Sequence, residues 1–258
     1  MSKYNLRRFN IGIIIQARCG SKRFPAKVEK NVYSTDTSID FLIKRLKKYF
    51  DAQSIILATT KLKMDLKLIK YHNKYGIGFY RGSQNDLMSR YYDCAKKNNL
   101  KVIVRLTADC PLVDPKLIIN FLDFYKRNKF VYISNCAPYE ERTYPVGSDI
   151  EIFSFSALKE YKNKKISKFQ REHISPYFLY NFKKTYLFSL KKDFSNYRYT
   201  LDYKKDLKLI KNIINNFKDP YTIKFENINK FLLKNKKLRM INHEYILKYY
   251  NAKIKKGY

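Results

Sequence analysis

Ile11-Gly-Ile-Ile-Ile-Gln-Ala-Arg-Cys-Gly-Ser-Lys-Arg-Phe-Pro-Ala-Lys27 is the stretch on which the reading of this chain turns. Ile11 to Ile15 is an apolar run dominated by β-branched residues, the composition of a central strand buried on both faces. The run breaks into a loop in which Gly20 and Ser21 permit tight backbone turns, and Arg18, Lys22, Arg23 and Lys27 place four cations within ten residues. Backbone N–H groups turned toward an anion, backed by such charges, suit a polyphosphate. A solvated surface loop in a lysine-rich chain would look similar. The Gly-Lys-Ser/Thr ending of a Walker A loop is absent, as is the Gly-x-Gly-x-x-Gly of a dinucleotide fold.

Downstream, Ile39, Leu42, Ile43, Leu46 and Phe50 share one face of a helix over 38–50, with Ser38 at its N-cap. Strands are predicted at 54–59, 77–80, 101–106 and 130–133, alternating with helices over 62–74, 86–97 and 117–127. Pro115 sits where a first helical turn tolerates it. This alternation predicts an α/β fold with a mainly parallel sheet, helices on both faces, and ligands at the carboxyl ends of the strands. After Asn135 a stretch rich in turn formers, 137–147, leads to the alternating segment 148–153 and helices near 154–162 and 171–181. These read as a small appended flap over about 137–190. Strand pieces at 185–190 and 197–200 are expected to rejoin the sheet before a helix over 204–217. A domain over 10–217 would then carry a lysine-rich helical C-terminal extension, 218–258, as two helices parted near Lys236.

With 258 residues, 45% of them hydrophobic, and 24 Tyr and 18 Phe, the chain has ample material for a core and is not a disordered protein. No apolar run reaches the roughly twenty residues of a bilayer span. The segment Met1 to Phe9 lacks the apolar stretch of a signal peptide, so a cytoplasmic location is expected. Cys19, Cys94, Cys110 and Cys136 lie far apart with no C-x-x-C pair, which signals neither zinc nor a disulfide framework. The net charge of +32 favours polyanions, but the lysines are spread along the whole chain, so a solvated basic surface accounts for them without a specific nucleic-acid partner.

Two carboxylates carry chemistry. Asp109 follows the strand 101–106, where such a sheet presents residues to its crevice; it would hold Mg²⁺ there or merely cap the loop before Pro111. Asp202 follows 197–200 as a helix N-cap or as a second carboxylate facing the same crevice.

Six stretches now appear in order: Ile-Gln-Ala-Arg-Cys-Gly-Ser-Lys-Arg-Phe-Pro-Ala-Lys (15–27), Tyr-Arg-Gly-Ser (80–83), Arg-Leu-Thr-Ala-Asp-Cys-Pro-Leu-Val-Asp-Pro (105–115), Asp-Ile-Glu-Ile-Phe-Ser (149–154), Arg-Glu-His-Ile-Ser-Pro-Tyr (171–177) and Thr-Leu-Asp (200–202). Together they resemble the cytidylyltransferase family that includes SpsF-type spore-coat polysaccharide proteins and, more distantly, acylneuraminate and 3-deoxy-manno-octulosonate cytidylyltransferases. The resemblance covers about residues 10–215 and leaves the tail outside.

It implies a nucleotide-diphospho-sugar transferase fold, Rossmann-like, and transfer of CMP from CTP to an acidic sugar with release of pyrophosphate. By the same resemblance Ala17, Arg18, Ser21, Lys22 and Lys27 would hold CTP, with Arg18, Lys27 and Asp109 catalytic. Arg81 and Ser83 would meet the base or ribose. Asp109 and Asp202 would bind Mg²⁺, and Asp149, Glu151, Arg171, Glu172 and His173 would face the sugar. Arg171 suits a sugar carboxylate because its guanidinium binds two oxygens in a fork. Relatives often carry Thr-Gly-Asp and Pro-Gly-Lys where this chain has Ala108 and Ala26. The segment 137–147 is short for the arm through which some relatives dimerise, so a homodimer is left open. Two other readings are a glycosyltransferase of related fold that consumes a nucleotide sugar, and a basic nucleic-acid-binding protein.

Overall fold

The computed structural model describes residues 3–246 and residue 248. Strand β1 (Ile11–Gln16) is buried from Ile11 to Ile15, as its composition requires. Asn31–Tyr33 (β2) and Asp36–Thr37 (β3) form a small antiparallel hairpin. There follow α1 (Ser38–Lys47), β4 (Ile55–Thr60), α2 (Ile69–Tyr75), β5 (Gly78–Gly82), α3 (Leu87–Lys97), β6 (Val102–Thr107), α4 (Pro115–Arg127) and β7 (Tyr132–Ser134). The second half adds β8 (Glu151–Ser154), α5 (Phe155–Lys159), α6 (Lys168–Glu172), α7 (Ile174–Asn181), β9 (Thr185–Leu187), α8 (Lys204–Asn215), α9 (Phe225–Lys234) and α10 (Lys236–Arg239).

The main sheet runs β5-β4-β1-β6-β8-β7-β9. All its neighbours are parallel except β8, which runs against both β6 and β7. Side chains of β1 alternate between the faces. Ile13 and Ile15 pack with Leu42 and Leu46 of α1 and Phe121 of α4, while Ile14 packs with Met88 and Tyr91 of α3 and Phe178 of α7. The sheet is therefore covered on both sides, which explains its near-continuous apolar strands. This is the mainly parallel α/β fold with helices on both faces that the alternation predicted.

Several local expectations change. The N-cap of α1 is Thr37, not Ser38: its hydroxyl accepts from the Asp40 N–H, and the Asp40 carboxylate accepts from the Thr37 N–H, a reciprocal capping box. The predicted helix over 62–74 is a tight three-residue-per-turn segment, Lys63–Leu68, before α2 begins. The segment 197–200 is extended and buried but is not a strand of the main sheet; its ladder is one bridge, Val146 with Arg198. Gly147, at φ 109°, lies so close against the segment that a Cβ on it would stand 2.5 Å from the Thr200 nitrogen. From the region expected as a flap, β8 enters the middle of the sheet and β9 forms its edge.

A third apolar cluster joins α8 to the C-terminal segment, with Leu209, Ile210 and Ile213 against Ile223, Ile228 and Leu232. Arg45, fully buried in α1, fastens that segment to the sheet domain by donating to the carbonyls of Val113 (3.2 Å), Pro220 (2.9 Å) and Ile223 (2.8 Å). Burial pulls its pKa down to about 10. The four cysteines are buried, and among the described residues none forms a disulfide. No helix among the described residues is long and apolar enough to cross a membrane.

Candidate active site

A cleft of about 720 Å³ opens at the carboxyl ends of the parallel strands. The loop after β1 forms one wall, and its shape is fixed at Cys19, whose carbonyl accepts from Ser21 (2.8 Å) and Ala26 (3.1 Å). The Cys19 N–H donates to the fully buried Asp65 carboxylate at 2.6 Å, and the Thr60 hydroxyl donates to the same carboxylate. With Cys19 held inward, Arg18, Lys22 and Arg23 stand exposed at the cleft. Ala26 adopts the left-handed conformation, φ 50°, that glycine reaches freely. The methyl group costs roughly 1–2 kcal/mol there. It is tolerated because it turns Lys27 into the cleft.

Lys27 is the pivot of the site. Its ammonium donates to Asp109 and, at 2.6 Å, to Asp202. The two carboxylates meet because the chain at 200–201 lies against Asp109: the Leu201 N–H (2.7 Å) and the Thr200 hydroxyl (3.2 Å) both donate to the Asp109 carbonyl. Burial by itself would lower the Lys27 pKa, but Asp109 and Asp202 outweigh it and hold the ammonium above the ordinary lysine value. Burial likewise opposes ionisation of Asp202, yet Lys27, Arg198 and Arg23 keep its pKa well below the usual carboxylate range. Asp202 is not the N-cap of α8. That helix starts two residues later, and the Asp202 carboxylate is spent on Lys27, Arg23 (2.9 Å) and Arg198 (2.8 Å).

Behind Asp202 lies a fully buried carboxylate, Asp206. It accepts from the N–H groups of Asp202 (2.8 Å) and Tyr203 (2.9 Å), from Arg198 Nε (3.1 Å) and from Asn242 Nδ2 (2.7 Å). Burial alone would lower the Arg198 pKa, and Asp206 and Asp202 instead raise it.

The far end of the cleft is lined by Arg105, Tyr139, Asp149, Glu151 and His173. Glu151 is 1% exposed and acts from beneath: it pairs with Arg105 and accepts from the hydroxyls of Tyr132 (2.7 Å) and Ser175 (2.6 Å). Asp149 accepts from Arg142 and from the Gly147 N–H at 3.1 Å, bracing the turn beside the cleft.

Of the residues singled out in the sequence, the structure gathers Ala17, Arg18, Ser21, Lys22, Lys27, Asp109, Asp149, Glu151, His173 and Asp202 around the cleft. Arg81, Ser83, Arg171 and Glu172 are not among its lining. Arg81 donates to the carbonyls of Thr60 (3.2 Å) and Leu62 (3.2 Å). The Ser83 hydroxyl accepts from the Asp86 N–H (3.1 Å), and Arg171 pairs with Asp86 at 3.0 Å. Glu172 is exposed at the end of α6. Sequence reasoning missed Arg105, Arg198, Asp65 and Asp206. Arg105 alone carried a local signal, a charge inside an otherwise apolar strand.

The model of the family described as cytidylyltransferase matches residues 12–252 and so takes in most of the tail that the motifs had left outside. An uncharacterized protein of Methanocaldococcus jannaschii is 36% identical over 236 residues, 89% of this chain and 93% of the relative. The spore coat polysaccharide biosynthesis protein SpsF of Bacillus subtilis is 29% identical over 210 residues, covering 78% of this chain and 85% of its own length. Among solved structures, a cytidylyltransferase from Leptospira borgpetersenii serovar Hardjo-bovis superposes with a TM-score of 0.83 at 34% identity, over 89% of this chain and 96% of that one. A cation-walled loop after β1 and a lysine between two carboxylates at the strand ends are thus set in a chain that belongs to the cytidylyltransferase family, and the protein is a nucleotidyltransferase.

Proposed function

We propose that the protein transfers CMP from CTP to an acidic sugar, releasing pyrophosphate, with Mg²⁺ held at Asp109 and Asp202, and that the product feeds surface polysaccharide assembly. The observation that carries this reading is the convergence of Asp109 and Asp202 on one cationic point beside a loop bearing Arg18, Lys22 and Arg23. Two carboxylates around a positive charge are hard oxygen donors of the kind Mg²⁺ takes, with substrate phosphates completing its shell. Among the described residues no cluster of three or more His, Cys, Asp or Glu side chains offers a fuller cage. Mg²⁺ bound there would supply charge neutralisation to the phosphates.

In this reaction the sugar hydroxyl forms a bond to the α-phosphorus, and the bond from that phosphorus to the bridging oxygen of the β-phosphate breaks. Negative charge grows on the departing pyrophosphate. Arg18, Lys22, Arg23 and Lys27 would meet it with positive charge, and electrostatic stabilisation of this kind is usually the largest contribution an active site makes to such a step. For the acidic group of the sugar, Arg105 is favoured over Arg171. It lines the cleft and is oriented by buried Glu151 and by Gln16, whose Oε1 accepts from it at 3.3 Å. Similarity to the spore coat polysaccharide biosynthesis protein of Bacillus subtilis supports a polysaccharide destination.

Thermal unfolding with CTP, UTP, ATP and GTP tests the nucleotide assignment. A ligand that binds only the folded state adds about 2.7 kcal/mol at a hundredfold excess over its Kd. The expected result is a Mg²⁺-dependent rise in Tm, largest with CTP. Equal rises with every nucleotide would contradict it.

A further inference from the structure

The C-terminal segment reaches the cleft, and nothing in the sequence motifs gave it a task. Tyr245 and Lys248 line the same cavity as the phosphate loop. Tyr245 stacks on Tyr203, the residue after Asp202, with ring centroids 3.9 Å apart and planes at 17°. Arg23 of the loop stands 5.2 Å from the Tyr203 ring centre, and the Lys248 ammonium 5.7 Å from that of Tyr245. A linked series therefore runs from Arg23 through two tyrosines to Lys248, beginning at the loop and passing beside Asp202. A cation over an aromatic face is attracted by the ring's quadrupole, which biases where a long side chain points.

The segment is also anchored from below. Asn242 is fully buried and donates to the Arg198 carbonyl (3.0 Å) and to Asp206 (2.7 Å), the carboxylate that holds the Asp202 and Tyr203 backbone. Glu244 pairs with Lys205 at 3.0 Å.

We infer that this segment completes the triphosphate end of the site, with Lys248 a phosphate-binding residue and Tyr245 a positioning residue that presents it. The assignment rests on the nucleotide reading above. Its chemistry is that of a polyphosphate: Lys248 acts on the β- and γ-phosphates, which become the leaving group, and has no role toward the base or the α-phosphate.

Binding of CTP, CMP and pyrophosphate in the presence of Mg²⁺, measured by calorimetry on the full chain, tests it. Lys248→Ala, at an exposed position, should weaken CTP and pyrophosphate about tenfold, the loss of one charge-assisted contact, and leave CMP unchanged. Tyr245→Ala should give the same pattern and Tyr245→Phe should restore wild-type binding, since the ring and not the hydroxyl makes the stack. Unchanged CTP and pyrophosphate affinity in Lys248→Ala, or an equal loss for CMP, overturns the assignment. Failure of wild type to bind CTP would overturn the nucleotide reading separately, because pyrophosphate binding needs no base and still reports on Lys248.

Discussion

Asp109→Asn is expected to lower kcat by about a hundredfold or more while the fold stays intact, because on the proposed reading it removes the charge of a Mg²⁺ ligand and little else. The structural work of this residue is done by its backbone: the carbonyl accepts from Leu201 and Thr200, and asparagine keeps that carbonyl in place. The side chain is 24% exposed and its recorded ionic partner is Lys27, which retains Asp202. Steady-state release of pyrophosphate, measured beside thermal unfolding, checks both halves. Turnover near the wild-type rate would remove Asp109 from the catalytic centre. A large fall in Tm would mean that its carboxylate holds the fold.

Asp206→Ala has its largest effect on stability. This carboxylate is wholly buried and satisfies Arg198, Asn242 and the N–H groups of Asp202 and Tyr203. Truncation leaves several buried donors without an acceptor and takes from Arg198 one of its two carboxylates. Breaking a buried ion pair from one side costs about 3–5 kcal/mol. In a chain of this size that lowers Tm by roughly 6–20 °C. A shift under about 2 °C would mean the network relaxes onto water or other groups, and that Asp206 is not the support of Asp202.

The contrast between these two aspartates shows what the sequence made legible. Asp109 was visible because it follows an apolar strand inside a recognisable motif, and β1 with its loop was visible because a five-residue apolar run ends abruptly in glycine and cations. Apart from the hairpin of β2 and β3, which the sequence reading did not predict, the order of helices and strands to residue 134 followed from periodicity, since both faces of the sheet are covered and each element repeats its burial pattern locally. Asp206 was invisible for the opposite reason. An aspartate in the first turn of a helix is ordinary, and only the approach of Arg198 and of Asn242, 36 residues away, makes this one a hub.

Asp65 is similar: it sits in a short tight helix, and its partner Cys19 lies 46 residues back in the chain. Glu151 was expected to face the sugar, and the structure lays it beneath Arg105 with two hydroxyls. Alternation along a strand says which face a residue takes but not whether that face is open. The segment 197–200 read as a strand because its residues suit a pleated, buried environment, and among the described residues it pairs through the single bridge of Arg198 with Val146. The insertion of β8 between β6 and β7 is likewise a non-local pairing that no window of sequence contains.

The most direct test of the account follows the α-phosphate. Wild-type protein is incubated with Mg²⁺, CTP labelled at the α-phosphorus, and 3-deoxy-manno-octulosonate or N-acetylneuraminate in parallel with neutral sugars, and the products are separated and counted. The account predicts label in a new CMP-sugar formed with a sugar acid, one unlabelled pyrophosphate per product, and loss of both in Asp109→Asn. Label remaining in CTP with every acid, or passing only to neutral sugars, would contradict CMP transfer to an acidic sugar.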